Sequence, residues 1–373
     1  MSLLLVICFV LILLGPCYLF WLSLRKRSLF PAVSSFADLP FVDVLVPLKD
    51  ECSFVKQKLE NLKSLDYPAD RICFWLIDGA SSDGTIQLIQ DFIHDNEKFH
   101  LLAFDISSKT AQLNHAIPFC NGSWVLVTDA DALLPASTLK TMLSHCEERE
   151  NVAVVGAQVE PDQAMSLERS HWKFSNWLRT QESSLGYASF VTAPCYLFRR
   201  DLLERFPEDV ISDDIHIALL AMSRGQAVSV IPLTVAELRS PTTFWQLFYH
   251  KWRKSRAYFR EIFRFLPLVT VMPSLGRSLF LWRAAQMILI PQLCLIALLV
   301  TAQTFSYLAL LLFAISASIV VFIKTRSLLS VANCFILALL WSIVLFIALV
   351  SLPLSKQTAS YRRIGVAPFR AQN

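Results

Sequence analysis

Charge is scarce in this chain. Asp, Glu, Lys and Arg make up 17% of its 373 residues, whereas 54% are hydrophobic. Ordinary soluble domains carry about 25% charged residues, so a wholly soluble enzyme and a disordered chain are both excluded. A transporter built of spans from end to end is excluded as well, because nearly all the charge lies in one stretch from Arg25 to Arg283. Acidic residues are missing after Glu261, and every later charge is basic: Arg264, Arg277, Arg283, Lys324, Arg326, Lys356, Arg362, Arg363 and Arg370. This basic end suits an anionic bilayer surface or an anionic substrate. It does not suit nucleic acid, since up to Glu261 acidic side chains outnumber basic ones. The nine cysteines are odd in number and form no Cys-x-x-Cys, which leaves a zinc site or a disulfide framework without support and reads as reduced thiols. Residues 47–56 lack glycine, which removes the Gly-rich phosphate loop that a nucleotidyltransferase needs. No internal repeat or low-complexity segment is present.

What is there falls into five parts. Residues 2–22 are an apolar run followed by Arg25-Lys26-Arg27, an arrangement expected of a signal anchor at 1–24 with its basic end cytosolic. A water-facing domain is expected over 40–240. Residues 241–283 follow, with Phe244, Phe248, Trp252, Phe259 and Phe263 at helical spacing among His250, Lys251, Arg253, Lys254, Arg256, Arg260 and Arg264. That pattern predicts one or two amphipathic helices in a membrane interface, or a core helix with a solvated basic face. About three spans are expected in 284–352, near 284–302, 305–323 and 329–352, and then a basic tail, 353–373. The chain therefore reads as an integral protein of the plasma (inner) membrane with a cytosolic domain.

Within the domain, predicted strands at Val42–Pro47, Phe74–Ile77, Leu101–Phe104, Trp124–Thr128 and Val152–Gln158 alternate with predicted helices at Phe54–Leu65, Thr85–His94, Thr110–Phe119 and Ser137–Glu148. This alternation implies an α/β sandwich with a mostly parallel sheet. Ligands of such sheets bind at the carboxyl ends of strands, where three acidic clusters occur. Asp129-Ala-Asp131 follows the strand Trp124–Thr128. In extended chain, residues i and i+2 share a face, so two carboxylates aim at one point, as Mg²⁺ or Mn²⁺ bridging to a diphosphate requires. An ordinary acidic loop is the alternative. Asp78-Gly-Ala-Ser-Ser-Asp83-Gly-Thr85 combines a strand-end carboxylate with small residues that let a nucleotide approach, or it is a turn and helix cap. Ser212-Asp213-Asp214 sets two carboxylates side by side, which raises the proton affinity of one. It offers a general base, a helix cap, or both. His250-Lys251-Trp252-Arg253 places an indole among cations, fit to hold a sugar ring and a leaving diphosphate or to anchor at an interface.

Taken in order, these clusters resemble the membrane-bound family 2 glycosyltransferases of GT-A fold, over about residues 42–256. Val44-Leu-Val-Pro47 with Asp50-Glu51 is similar to the first strand and nucleotide-contacting turn. Ile77-Asp78 to Thr85 is similar to the uracil-binding segment, and Lys109 to Asn114 to a donor-lining stretch. Asp129-Ala-Asp131 is similar to the metal-binding motif, and Thr192–Arg199 to the acceptor-side loop. Ser212-Asp213-Asp214 is similar to the motif whose last Asp is the base. The resemblance implies a nucleotide-sugar donor, UDP-linked, held by Pro47, Glu51, Asp78, Lys109, Asn114, Asp129, Trp252, Lys251 and Arg253. It implies Mg²⁺ or Mn²⁺ on Asp131 and Asp129, and catalysis by Asp214 with Asp213. The acceptor is expected to be a lipid or a glycan on a lipid. Processive synthases carry Gln-x-x-Arg-Trp. Aligned on Trp252, this chain has Phe248 and Lys251 instead, and Gln246 stands two residues early. Single transfer is thus expected over a processive polysaccharide synthase or a non-catalytic scaffold of the same fold.

Overall fold

The computed structural model describes Tyr18 and residues 39–106, 108–149, 151–293 and 328–352. Among these, eight strands form one sheet in the order β3-β2-β1-β4-β7-β6-β8-β5. The strands are β1 (Val42–Leu48), β2 (Ile72–Asp78), β3 (Phe99–Ala103), β4 (Trp124–Thr128), β5 (Ala132–Leu133), β6 (Val152–Pro161), β7 (Cys195–Arg199) and β8 (Ala227–Glu237). Strands β3, β2, β1 and β4 run parallel, as does the β6–β8 pair, whereas β7 is antiparallel to both β4 and β6, and β5 to β8. The expected mixed, mostly parallel α/β architecture is therefore present.

Strand β1 shows how the sequence makes both cores. Its residues alternate faces: Val44 and Val46 pack with Leu59, Leu76 and Ile89 on one side, Leu45 with Ile77, Leu113 and Val125 on the other. The helices that cover the sheet are α1 (Cys52–Lys63), α2 (Thr85–Ile93), α3 (Lys109–Ala116), α4 (Thr138–Glu148), α5 (Ser166–Ser184) and α6 (Asp213–Ser223). Pairing between β1 and β4 runs only from Val42 to Leu45, so the two strands part before Pro47, where a missing backbone N–H costs nothing. The strand order turns about this point, and a crevice opens at the carboxyl ends of β1, β2 and β4.

One part of the sequence reading needs correction. Cys195–Arg199, expected within an acceptor-side loop, is the buried strand β7, and only Thr192–Pro194 remains a loop. Cys195 to Phe198 are apolar in succession and buried, as befits a strand covered on both faces. Of the one or two helices expected over 243–265 there is one, α7 (Phe244–Phe265), opened by a capping box in which Gln246 and Thr243 satisfy each other's backbone N–H groups. Gln246 is thus a cap residue.

Helix α8 (Ser274–Ile288) follows, and α9 (Leu328–Val350) packs its Leu340, Val344, Leu345 and Ala348 inward, with Trp341 donating from Nε1 to His171 Nδ1 at 3.2 Å. The expected span 329–352 coincides with α9, whose described side chains are Ile336 and those from Leu339 on. The expected span 305–323, most of 284–302 and most of the anchor 1–24 lie outside the described residues, as does the tail 353–373. No helix among the described residues is long and apolar enough to cross a membrane.

Candidate active site

The crevice is built from three strand-end loops. After β1, Asp50 adopts a φ of 45°, and after β2, Ala80 adopts 59°. Left-handed backbone at a non-glycine residue is costly and persists where surrounding bonds impose it. Here they do. Asp50 N donates to Ser81 Oγ at 2.7 Å, Ser82 N donates to Asp50 Oδ1 at 2.7 Å, and Lys49 Nζ donates to the Ala80 carbonyl. Asp83 caps the loop by accepting from Thr85 N and Cys52 N, each at 3.1 Å. Gly79 admits no side chain: a Cβ there would lie 2.0 Å from Gln112 Nε2 and 2.3 Å from the Ile106 carbonyl oxygen.

This rigid double loop presents Asp78. The residue is fully buried; Oδ2 accepts from Ser81 N at 2.9 Å, while Oδ1 has no partner among the described residues. A buried carboxylate oxygen left open is costly unless a donor arrives, and an imide N–H of a nucleobase is such a donor. Glu51, also buried, is engaged by the Arg239 guanidinium through both oxygens, one of them at 3.3 Å. Pro47 is buried in β1, in register with Ile77 and one residue before the Leu48–Asp78 pair.

The third loop carries Asp129 and Asp131. Burial and the neighbouring Asp129 charge push the Asp131 carboxyl up from its ordinary range, and Arg239 opposes them, its Nε 3.8 Å from Asp131 Oδ2. Beneath the loop lies Lys58, 1% exposed, donating from Nζ to Thr128 Oγ1 at 2.8 Å and to the Ala132 carbonyl at 2.7 Å. It clamps the residues on either side of Asp129-Ala130-Asp131, and burial lowers its pKa to about 8. Among the described residues no group of three or more His, Cys, Asp or Glu could hold a metal. Two carboxylates converge instead, and this fits Mg²⁺ or Mn²⁺ chemistry, in which one or two carboxylates share the ion with substrate phosphates.

Lys109 at the start of α3 joins this loop to the Asp213-Asp214 pair. Its Nζ lies 2.8 Å from Asp129 Oδ1 and 3.1 Å from Asp213 Oδ2. Asp213 also accepts from the Tyr196 hydroxyl at 2.6 Å. Among the described residues Asp214 accepts only from Ser212 Oγ, at 3.0 Å. Its pKa is pushed up to about 6 by burial and by the Asp213 charge, with Lys109 and Lys254 pulling the other way. Ser212 holds the N-cap position of α6 but makes no side-chain cap bond; its hydroxyl serves Asp214. Of the two acids, Asp213 is occupied by Tyr196 and Lys109, and Asp214 is the one poised to take a proton.

Other expected donor ligands turn elsewhere. Asn114 spends both ends of its amide on the Phe206 backbone, at 2.8 and 2.7 Å. Lys251 is buried in an ion pair with Glu168 at 2.8 Å, tying α7 to α5. Trp252 donates to Ser351 Oγ at 3.1 Å and lies 5.2 Å from the Arg256 guanidinium. Arg253 is half-buried on the same helix. The sequence reading passed over Lys58, Tyr196 and Arg239, and also Glu237, whose carboxyl is pushed up to about 8 by burial and whose charged neighbours include Lys254, Asp131 and Glu168. Only Lys58 left a signal: it stands with Val55, Leu59 and Leu62 on the buried face of α1.

Residues 43–206 match the family model "Glycosyl transferase family 2". An N-acetylglucosaminyltransferase of Rhizobium meliloti is 24% identical over 251 residues, covering 62% of this chain and 58% of that protein. A beta-monoglucosyldiacylglycerol synthase of Trichormus variabilis is 28% identical over 192 residues, 48% of this chain and 40% of that protein. The chain thus spans about half the length of these relatives. Among solved structures, the mannosyltransferase PcManGT of Pyrobaculum calidifontis, in complex with GDP-Man and Mn²⁺, superposes with a TM-score of 0.73 over 95% of this chain and 98% of that one, at 22% identity. That likeness establishes a shared fold. The sequence match, the strand-end acids and the fold agree, and residues 43–206 are similar to a family 2 glycosyltransferase domain.

Proposed function

We propose that the chain moves a sugar from a nucleotide-sugar donor, UDP-linked, to a hydroxyl of a lipid or lipid-linked acceptor, with inversion at the anomeric carbon. The observation that carries this reading is the Lys109 bridge, which sets the Asp129-Asp131 loop and the Asp213-Asp214 pair on one cleft. In this reading the open Oδ1 of Asp78 accepts from the base, and the Gly79–Ser82 backbone lies against the nucleoside. Asp131 and Asp129 would hold Mg²⁺ or Mn²⁺, which would offset the charge of the departing diphosphate. Arg239 and Lys109, now on these carboxylates, are placed to meet the phosphates. Asp214 takes the proton of the acceptor hydroxyl; the oxygen bonds to the anomeric carbon as the bond from that carbon to the diphosphate breaks, and the nucleoside diphosphate leaves with its electron pair.

The lipid side of the reading is supported by apolar exposure at both ends of α7. Phe244, Trp245 and Tyr249 stand out at its start, and Phe263, Leu266, Leu268 and Val271 at and beyond its end. Aromatic and aliphatic side chains beside a basic helix suit a membrane interface, and the relative named as a glycolipid synthase is consistent with it. A processive polysaccharide synthase is the weaker reading, because Lys251 at the motif position is closed in its pair with Glu168.

The test is Asp214→Asn. It is expected to bind donor with Mn²⁺ as the unaltered chain does and to transfer at least about 10²-fold more slowly, the usual worth of a general base. Undiminished transfer by this variant refutes the assignment.

A further inference from the structure

The expected base is thinly held. Among the described residues the Asp214 carboxylate accepts only from Ser212 Oγ, and Ser212 makes no side-chain cap bond to α6. A general base must stand within hydrogen-bond reach of the proton it takes, so its place is set by the backbone beneath it, from Phe206 into the first turn of α6. Two helices grip that segment. From α3, Asn114 donates to the Phe206 carbonyl at 2.8 Å and accepts from Phe206 N at 2.7 Å, and Thr110 Oγ1 donates to the Val210 carbonyl at 2.7 Å. From α7, the Arg264 guanidinium binds the Asp209 carboxylate, and Glu261 Oε2 lies 2.7 Å from His216 Nδ1 and 3.4 Å from Arg264 Nε. His216 stands two residues past Asp214, and its backbone N–H donates to the Ser212 carbonyl at 3.0 Å across the first turn of the helix. Its ring is flanked edge-on by Phe206 and Phe265, at centroid distances of 5.8 and 5.2 Å.

The His216–Glu261 contact is buried, its residues 4% and 1% exposed. Joining α6 to α7 does not require it. Two apolar side chains of similar volume hold helices together about as firmly, because a buried polar pair gives up hydration that its attraction scarcely repays. What a short, directional contact adds is register. Resting on the reading of Asp214 as the base, we infer that His216 and Glu261 are positioning residues, which fix the first turn of α6 so that Asp214 meets the acceptor hydroxyl. The base lies between two anchored points, Asp209 and His216, and both are tied to one turn of α7 through Arg264 and Glu261. Phe263 on the same turn and Leu266 just beyond it are exposed and apolar, so the helix read as meeting the acceptor's lipid is also the helix that sets the base.

The experiment compares the full chain in a non-ionic detergent with the double variant His216→Leu/Glu261→Leu, with His216→Asn and His216→Gln, and with Asp214→Asn. Each is read for its thermal midpoint, for Mn²⁺–UDP binding by calorimetric titration, and for the rate of UDP release, per Mn²⁺–UDP-binding site, from the UDP-sugar that the unaltered chain uses with a total lipid extract. The double variant is expected to keep its thermal midpoint, its Mn²⁺–UDP affinity and its donor KM, yet to turn over about 10- to 10²-fold more slowly, the scale of loss when a reacting group is displaced by about 1 Å. A pair that only joins two helices predicts recovery of stability and turnover together. His216→Asn sets an amide nitrogen where Nδ1 stands and should keep most of the turnover; His216→Gln reaches past that point and should lose about tenfold. A stable double variant of normal turnover overturns the proposal. So do equal rates in His216→Asn and His216→Gln, the comparison that decides if the double variant does not fold. Normal turnover by Asp214→Asn, or none by the unaltered chain, removes the base reading and the clamp with it, whereas a slow Asp214→Asn beside a fast double variant removes the clamp alone.

Discussion

Lys251→Met separates two incompatible roles for the same side chain. By sequence, Lys251 stands beside Trp252 where a donor-binding Arg is found in synthases. In the fold it is 5% exposed and bonded to Glu168, which is itself 1% exposed, with Oε2 free of any partner among the described residues. Methionine keeps the length and most of the volume, so packing against Trp172 and Trp341 survives. What is lost is the only charge bonded to Glu168 among the described residues. Removing one partner of a buried pair costs about 3–5 kcal/mol, because the survivor is left charged and dry. Replacing both partners, as Lys251→Met with Glu168→Leu, is close to neutral or stabilising by the same reasoning. Urea titration reads the difference: the single variant should lower the midpoint at unchanged slope, and the double variant should restore it. Donor KM should move little in the double variant. A single variant of unchanged stability with a raised donor KM would refute this reasoning and return Lys251 to the diphosphate.

Two further outcomes follow from the crevice. Since Asp214 must be ionised to act and its pKa is pushed up to about 6, transfer should rise about tenfold per pH unit below that value and level off above it; a flat profile across pH 5–7, roughly, would remove Asp214 from the rate. Gly79→Ala drives a Cβ into Gln112 and into the Ile106 carbonyl. Gln112 yields but backbone does not, so overpacking of about 1–3 kcal/mol is expected, with weakened nucleotide binding in the same titration, and a variant that binds UDP normally would show that the loop does not meet the nucleoside.

The parallel half of the fold was legible because each strand there is a short, largely apolar run followed by a polar turn. Trp124–Thr128 and its Asp129-Ala-Asp131 are the clearest case. The antiparallel half was not. Pro194 immediately precedes β7 and reads as a loop, and Pro232 sits inside β8, where a bulge between the Gly156–Val230 and Gln158–Thr234 pairs accommodates it. At the site, acids were legible because carboxylates at strand ends have few structural uses. Cations were not. A lysine or arginine in a helix ordinarily marks the solvated face, so nothing local announced that Lys58 lies beneath the acidic loop or that Arg179 is buried. Trp252 and Lys251 misled for the opposite reason: their spacing is the motif's, but α9 and Glu168 claim them.

Donor turnover tests the whole reading most directly. The detergent-solubilised chain and its Asp131→Asn variant would be given a panel of UDP- and GDP-sugars with Mn²⁺, with and without a total lipid extract, and released nucleoside diphosphate and labelled lipid would be followed. The predicted result is release from one UDP-sugar that needs metal, lipid and Asp131 together and yields a lipid bearing a single sugar. Long polymer, or no release from any donor by a chain shown to be folded, would contradict it.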